Sequence, residues 1–138
     1  MILTDAGPLV ALIDLGESDH LRCVAALESL RGPMLTTWPA FTEAMYLLGE
    51  AAAWHGQEPL WRMVDRGHLQ IAHTTAGMLE RMPVLMGKYH DLPMDLADAS
   101  LVALAEEKSV NRIFTLDSDF TLYRLPGRKR FTLVPAPR

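Results

Sequence analysis

The sequence contains very little cysteine, with Cys23 the one example among 138 residues. An internal disulfide is therefore excluded, and a chain without disulfides fits a reducing compartment. Apolar residues make up 49% of the chain, which is enough to build a core at this length without disulfides or a structural metal. We therefore expect one domain covering residues 1–138.

Long apolar runs are also missing, since no stretch approaches the roughly 20 residues that a membrane-spanning helix needs. The apolar opening, MILTDAGPLVALIDL, lacks a basic start and contains Asp5, Pro8 and Asp14. Because a signal peptide begins with positive charge and continues with an uninterrupted apolar segment, we do not expect one here. The expectation is a cytoplasmic protein without a membrane partner.

Positive charge is not in excess, because the formal net charge of the chain is −4. The sequence therefore lacks the overall basic footprint of many nucleic-acid-binding domains. Its one basic cluster, Arg124 to Phe131, could contact phosphates or form a solvated loop. The five histidines are scattered and one cysteine accompanies them, so no group at zinc-ligand spacing exists and a zinc site is not expected.

Short apolar segments alternate with helical patterns along the chain. Strands are predicted at MILT, MLTT, HLQIAH and NRIFTLD, with a weaker fifth at RFTLV. Helices are predicted at GPLVALIDL, HLRCVAALESL, PAFTEAMYLLGEAAAWHG, EPLWRMVDRG, TAGMLERMPVLMGKYHD and DLADASLVALAEEK. We expect Gly56 to close the third helix and Pro83 to kink the fifth or stop it early. This alternation predicts an α/β fold with a parallel central sheet flanked by helices.

Acidic residues fall where these strands end or the next helices begin. They are Asp5 after MILT, Glu43 one turn into the helix after MLTT, Asp98 in the first turn of the last helix, Asp117 at the end of NRIFTLD, and Asp119. Parallel strands place their carboxyl ends at one edge, where ligand sites form. Converging carboxylates repel one another, and Mg²⁺ relieves that repulsion and can promote phosphodiester chemistry.

Each acid also has a purely structural interpretation. Asp5 suits an N-cap, Asp95 and Asp98 suit an N-cap and its N3 partner, Asp117 and Asp119 suit a turn, and Glu43 suits the first turns of a helix. Each interpretation is reasonable for its own residue. The placement of all these acids at one edge of the sheet favours a shared acidic site.

Four stretches resemble the PIN-domain ribonucleases and, among them, the VapC-type toxins of prokaryotic toxin–antitoxin pairs. They are ILTDAGPLVALID, TTWPAFTEAMYLL, MDLADASLVALAEE and IFTLDSDF, in the family's order and spanning almost the whole chain. The resemblance implies a sheet of about five parallel strands, a Mg²⁺ or Mn²⁺ site, and endonucleolytic hydrolysis of RNA. It also implies a small antitoxin protein as a partner.

The family's functional residues map onto named positions of this chain. Asp5, Glu43, Asp98 and Asp117 match the catalytic, metal-binding acids, Thr115 matches a hydroxyl that orients the carboxylates, and Asp119 matches a further acid that is often present. Asp95 could add an outer carboxylate or act only as a cap. The chain departs from the family at Ala6 and Gly7, where a small hydroxyl or amide residue is common. A backbone amide could replace that hydrogen bond.

Several apolar residues exceed what one core needs. Trp38 lies near the acidic edge and could contact substrate, whereas Trp54 and Trp61 suit a helical hairpin or an oligomer interface. The apolar helices from Phe41 to Trp54 and from Met78 to Met86 suggest a homodimer face or a groove for an antitoxin.

Two other functions stay open from the sequence. One is a PIN-like binding module that has lost catalysis, against which the retention of four acids argues. The other is a different phosphoryl-transfer enzyme on a similar α/β fold. A phosphatase of the haloacid-dehalogenase type would place an aspartate where Gly7 stands, and the acidic pair and late lysine of a receiver domain are not clearly present.

Overall fold

A five-stranded parallel sheet forms the centre of the computed structural model, which describes residues 1–138. The seven strands of the chain are β1 (Ile2–Thr4), β2 (Met34–Thr37), β3 (Leu69–Ala72), β4 (Arg112–Phe114), β5 (Arg124–Leu125), β6 (Lys129–Arg130) and β7 (Thr132–Val134). The central sheet has the order β3-β2-β1-β4-β7, with every pair parallel. The predicted parallel sheet is confirmed, including its fifth strand.

Six helices connect and cover these strands. They are α1 (Ala6–Ile13), α2 (His20–Glu28), α3 (Trp38–Ala52), α4 (Trp54–Asp65), α5 (Ala76–Lys88) and α6 (Leu96–Lys108). None of them combines the length and the apolar character that a membrane span requires.

The two faces of the sheet carry separate apolar clusters because successive strand residues point in opposite directions. Ile2 and Phe114 pack among residues of helices α1 to α4. Their neighbours Leu3 and Ile113 pack on the other face, among residues of α5 and α6. In α6 every residue from Ala97 to Ala105 is buried, so most of this helix lies in the interior, including the polar residues Asp98 and Ser100.

The predicted long helix after β2 breaks earlier than expected. It ends at Ala52, and Gly56 lies inside α4 instead of closing α3. A β-carbon added to Gly56 would lie 2.5 Å from the backbone oxygen of Leu48. Glycine is therefore needed where α4 folds back against α3, and the sequence prediction mistook a close-packing residue for a helix terminator.

Two further segments differ from the sequence expectations. Of the two effects expected of Pro83, a kink or an early stop, the early stop does not occur, because α5 continues to Lys88. The basic segment does not remain an open loop, because β5 and β6 pair as a short antiparallel hairpin. Leu125 and Phe131 anchor this hairpin in the core. Strands of two residues have no periodicity of their own, which explains why the sequence pattern did not reveal them.

The close contact at Gly56 leads to a stability prediction. We expect Gly56→Ala to lower the free energy of unfolding by about 1–3 kcal/mol, because the added methyl group overpacks the contact with Leu48. Gly87→Ala is the matched control, since Gly87 lies in α5 with nothing within 4 Å of an added β-carbon. There the helix propensity of alanine should leave stability unchanged or raise it by up to about 1 kcal/mol. Urea unfolding measures both, and equal stability of the two variants would contradict the assignment.

Candidate metal centre

Two strand ends and one buried helix place three aspartates at the carboxyl edge of the sheet. Asp5 follows β1 directly and caps α1, accepting a hydrogen bond from the Ala6 amide at 2.8 Å. Asp117 lies three residues beyond β4 and caps the short 3-10 turn at Ser118–Thr121. Asp98 lies in the first turn of α6, next to its N-cap Asp95. The edge predicted from the sequence is the one at which they meet.

The three carboxyl groups lie close together. One carboxylate oxygen from each of Asp5, Asp98 and Asp117 lies within 4.8 Å of the other two. Asp5 and Asp98 are buried, and Asp117 is half-buried. Because oxygen ligands of one divalent cation have comparable separations, this group can act as a shared ligand set.

Thr115 connects two of these acids. Its hydroxyl donates a hydrogen bond to Asp5 Oδ2 at 2.9 Å and accepts one from the Asp117 amide at 3.0 Å. Thr115 is itself buried, and its amide donates to the Val134 backbone oxygen on the neighbouring strand. The hydroxyl therefore fixes the position of the Asp5 carboxylate relative to the loop that carries Asp117.

Tyr123 is a site residue that the sequence analysis missed. Its buried phenol donates a hydrogen bond to Asp98 Oδ2 at 2.8 Å. The ring is held by edge-to-face contacts with Phe120 and Tyr89, both at 5.0 Å between centroids. No motif marks this tyrosine in the sequence, because its contact with Asp98 depends on the turn that follows β4.

Burial and mutual repulsion raise the pKa values of two of these acids above the ordinary value for aspartate. Burial, together with the nearby charges of Asp95, Asp5 and Asp117, raises the pKa of Asp98 to about 8 against the opposing hydrogen bond from Tyr123. Burial likewise raises the pKa of Asp5 to about 6, partly offset by its bonds to Ala6 and Thr115. In the protein alone, Asp98 therefore holds a proton at neutral pH.

The remaining predicted acids flank this group without belonging to it. Glu43 is exposed on α3, and its pKa is raised by partial burial and then by the charges of Asp5, Asp95 and Asp117. The Asp119 amide donates to Asp117 Oδ1 at 2.9 Å, and burial raises the pKa of its own carboxyl. Ligation by Glu43 or Asp119 stays a prediction.

Asp95 acts as a helix cap, as the structural interpretation expected. Its Oδ1 accepts a hydrogen bond from the Asp98 amide at 2.8 Å. The Asp98 side chain does not return the interaction as a capping-box partner would, because its carboxylate bonds to Tyr123 instead. Asp98 is thereby available to the acidic group rather than to the helix terminus.

The donor set fits a hard divalent cation. All three clustered side chains offer carboxylate oxygens, and no histidine or cysteine belongs to the group. Such ligands suit Mg²⁺ or Mn²⁺ and do not suit zinc. The raised pKa values of Asp5 and Asp98 have the same implication, because buried acids that repel one another are stabilised by a bound cation.

The raised pKa of Asp98 generates a stability prediction for the metal-free protein. A folded pKa of about 8 against the ordinary value of 3.8 means that the folded state binds this proton more tightly than the unfolded state. The contribution of this proton to the free energy of unfolding is fully present below pH 3.8 and is lost as pH rises to about 8. We expect Asp98→Asn, which carries no charge, to gain stability over the wild type across this range, reaching roughly 5 °C in melting temperature at pH 8.

The measurement is thermal unfolding in chelator at pH 5, 6.5 and 8. Asp65→Asn, at an exposed position on the end of α4, serves as the control and should follow the wild type at each pH. An Asp98→Asn difference that does not grow with pH would show that this carboxyl group does not carry a raised pKa.

Comparison with known proteins agrees with the sequence resemblance. A sequence model of the PIN domain family matches residues 2–125. The chain is also similar to Ribonuclease VapC26 from Mycobacterium tuberculosis (strain ATCC 25618 / H37Rv), with 27% identity over 135 residues that cover 97% of this chain and 100% of that protein.

Solved structures share the fold. VapC20 of Mycobacterium tuberculosis, described as a sarcin-ricin loop cleaving toxin, superposes with a TM-score of 0.82 at 17% identity, covering 88% of this chain and 94% of that one. A toxin–antitoxin complex from Klebsiella pneumoniae gives a TM-score of 0.67 at 20% identity, covering 87% and 90%. Because the family model spans nearly the whole chain and the sheet and acidic edge follow the expected pattern, this protein belongs to the PIN-domain family.

Proposed function

We propose that this PIN-domain protein is a Mg²⁺- or Mn²⁺-dependent endoribonuclease and the toxin component of a type II toxin–antitoxin pair. The observation that carries the proposal is the convergence of Asp5, Asp98 and Asp117 within 4.8 Å of one another at the sheet edge. Its relative VapC26 is named a ribonuclease and matches along its whole length, which supports RNA as the substrate.

The clustered aspartates would hold the cation, and Glu43 and Asp119 would extend its surroundings toward solvent. When bound, a divalent cation activates water and stabilises the charge that develops on a phosphodiester. Thr115 keeps Asp5 in position from one side, and Tyr123 keeps Asp98 in position from the other. These residues therefore preorganise the ligands, and the chemistry needs no covalent intermediate with the protein.

Proton balance links the site to pH. Because burial raises the pKa of Asp98 to about 8 in the protein alone, its proton must leave before or during cation binding. Cation affinity should therefore increase from pH 6 to pH 8. The hydrogen bond from Tyr123 favours the ionised form of Asp98 and so assists this release.

The functional unit is proposed to be the whole of residues 1–138. Strand β7 lies beyond the segment matched by the family model, yet it pairs with β4 through three residue pairs. The amide of Thr115 bonds to Val134 on this strand. The C-terminal segment therefore supports the loop that carries part of the acidic group.

Protein partners are proposed from the exposed apolar surface and from the solved relatives. Tyr46, Leu47 and Trp54 are exposed large apolar residues on α3 and α4. A likeness to a toxin–antitoxin complex supports a small antitoxin as one partner, and a second copy of this chain is proposed as another. The proposed place of action is the cytoplasm.

A purely binding role explains the site less well. A module without catalysis has no need for two buried carboxyls whose pKa values are raised by burial and by neighbouring acids. Such a cluster destabilises the folded chain at neutral pH unless a cation neutralises it.

Cleavage assays test the proposed activity. We expect Asp5→Asn and Asp98→Asn to lose at least ~100-fold in RNA cleavage while keeping the fold, because each removes a charged ligand at little change in volume. Asp119→Asn should lose less, and Asp95→Asn should be milder still since asparagine caps helices well. Asp65→Asn is the matched control and should cleave as the wild type does.

The measurement uses a pool of structured and single-stranded RNAs with Mg²⁺ or Mn²⁺, together with circular dichroism of every variant. Wild-type cleavage that Asp98→Asn retains in full would place the activity at another site or in a contaminant. An inactive wild type that nonetheless binds RNA would favour the binding module.

A further inference from the structure

A groove adjoins the acidic group on the side of α3 and α6. It has a volume of about 620 Å³ and is lined by Trp38 and Leu96 together with Glu43, Asp95 and Thr74. This volume lies within the usual range of small-ligand pockets. The groove adjoins the metal centre at Asp95, which lines it and whose Oδ1 accepts a hydrogen bond from the Asp98 amide at 2.8 Å.

Two large apolar side chains face this groove without being buried. Trp38 is 47% exposed and Leu96 is 51% exposed. Each is the first residue of its helix, directly after the caps Thr37 and Asp95. Single exposed apolar residues are common, but two of them that line one groove beside an acidic site indicate a surface for an apolar, flat ligand.

The spacing between the two helix starts is fixed. The Thr37 hydroxyl lies 2.6 Å from the Ser100 hydroxyl, and both residues are buried. The indole of Trp38 packs edge-to-face on buried Phe41, with ring centroids 5.7 Å apart and planes at 89°. Trp38 is therefore held at a defined orientation on a rigid element rather than on a mobile loop.

Charge indicates what can enter the groove. Its lining contains the carboxylates of Glu43 and Asp95 and no basic side chain. A phosphate would be repelled there, whereas a neutral ring with amino donors would be accepted. Asp95 Oδ1 is used by the Asp98 amide, which leaves its second oxygen as an acceptor.

We infer that the groove between Trp38 and Leu96 binds one unpaired nucleobase of single-stranded RNA, stacked on the indole, beside the phosphate that reacts at the metal centre. This inference rests on the proposed function and adds a substrate requirement to it, namely an unstacked base next to the cleavage site. Stacking on an aromatic side chain is the usual way in which proteins hold such bases.

The test combines protein variants with RNA oligomers that lack one base. Trp38→Ala should raise KM by roughly 5- to 140-fold, since base stacking is worth about 1–3 kcal/mol and every 1.4 kcal/mol is tenfold. Trp38→Phe should lose much less, because it keeps an aromatic face. Leu21→Ala is the control, because Leu21 is an exposed large apolar residue on α2 that does not line the groove, and it should cleave as the wild type does.

The oligomers separate stacking from a general structural effect. An abasic nucleotide at one position flanking the cleavage site should weaken wild-type cleavage by a factor like that of Trp38→Ala. The same abasic oligomer should not weaken cleavage by Trp38→Ala any further, because that variant has already lost the stacking contact. If Trp38→Ala does not fold, Trp38→Leu replaces it, since leucine keeps apolar bulk without an aromatic ring.

The outcomes distinguish this inference from the proposed function. If the wild type cleaves RNA and Trp38→Ala and Leu21→Ala have equal KM, the base site alone is overturned, and the groove is left to another occupant, such as a segment of a protein partner. The base site would also be overturned if the abasic nucleotide weakened cleavage by the wild type and by Trp38→Ala to the same extent. If the wild type cleaves no RNA, the proposed function fails, and the base site is then tested by measuring RNA oligomer binding by fluorescence anisotropy. Weaker RNA binding by Trp38→Ala, with the control variant binding as the wild type does, supports the base site. Equal RNA binding by all three proteins overturns it.

Discussion

Electrostatic repulsion among Asp5, Asp98 and Asp117 is the constraint on which the rest of this structure depends. Their oxygens lie within 4.8 Å of one another, and two of the three side chains are buried. Burial raises the pKa of Asp98 to about 8, so a proton substitutes for a cation when none is bound. A fold that keeps such a group together must hold it by bonds that do not depend on the charges.

Those bonds come from elements that also build the fold. Asp5 caps α1, Asp117 caps the turn after β4, and Asp95 caps α6 beside Asp98. Buried hydroxyls supply the remaining constraints, with Thr115 against Asp5 and Tyr123 against Asp98. Asp5 and Asp117 therefore combine a capping role with a place in the acidic group, whereas Asp98 is positioned by Tyr123 in the first turn of a helix that Asp95 caps.

The sequence predicted this edge well because strand order and strand ends follow from patterns that act over a few residues. The run MILT followed by Asp5, and the buried helix that carries Asp98, needed no tertiary information. Tyr123 could not be predicted, since its bond to Asp98 joins positions 25 apart through a turn without a motif. Gly56 was misinterpreted for a related reason: a glycine that ends a helix and one that admits a neighbouring helix look the same in sequence.

The central claim, that the buried carboxylates form a cation site, is tested most directly by the protons released when Mn²⁺ binds. Isothermal titration calorimetry in two buffers of different ionisation enthalpy gives this number. Because burial raises the pKa of Asp98 to about 8 and that of Asp5 to about 6, binding at pH 7 should release about one proton per cation. Release should approach zero at pH 9 and should be absent for Asp98→Asn at pH 7. No binding by the wild type, or binding at pH 7 without proton release, would contradict the account.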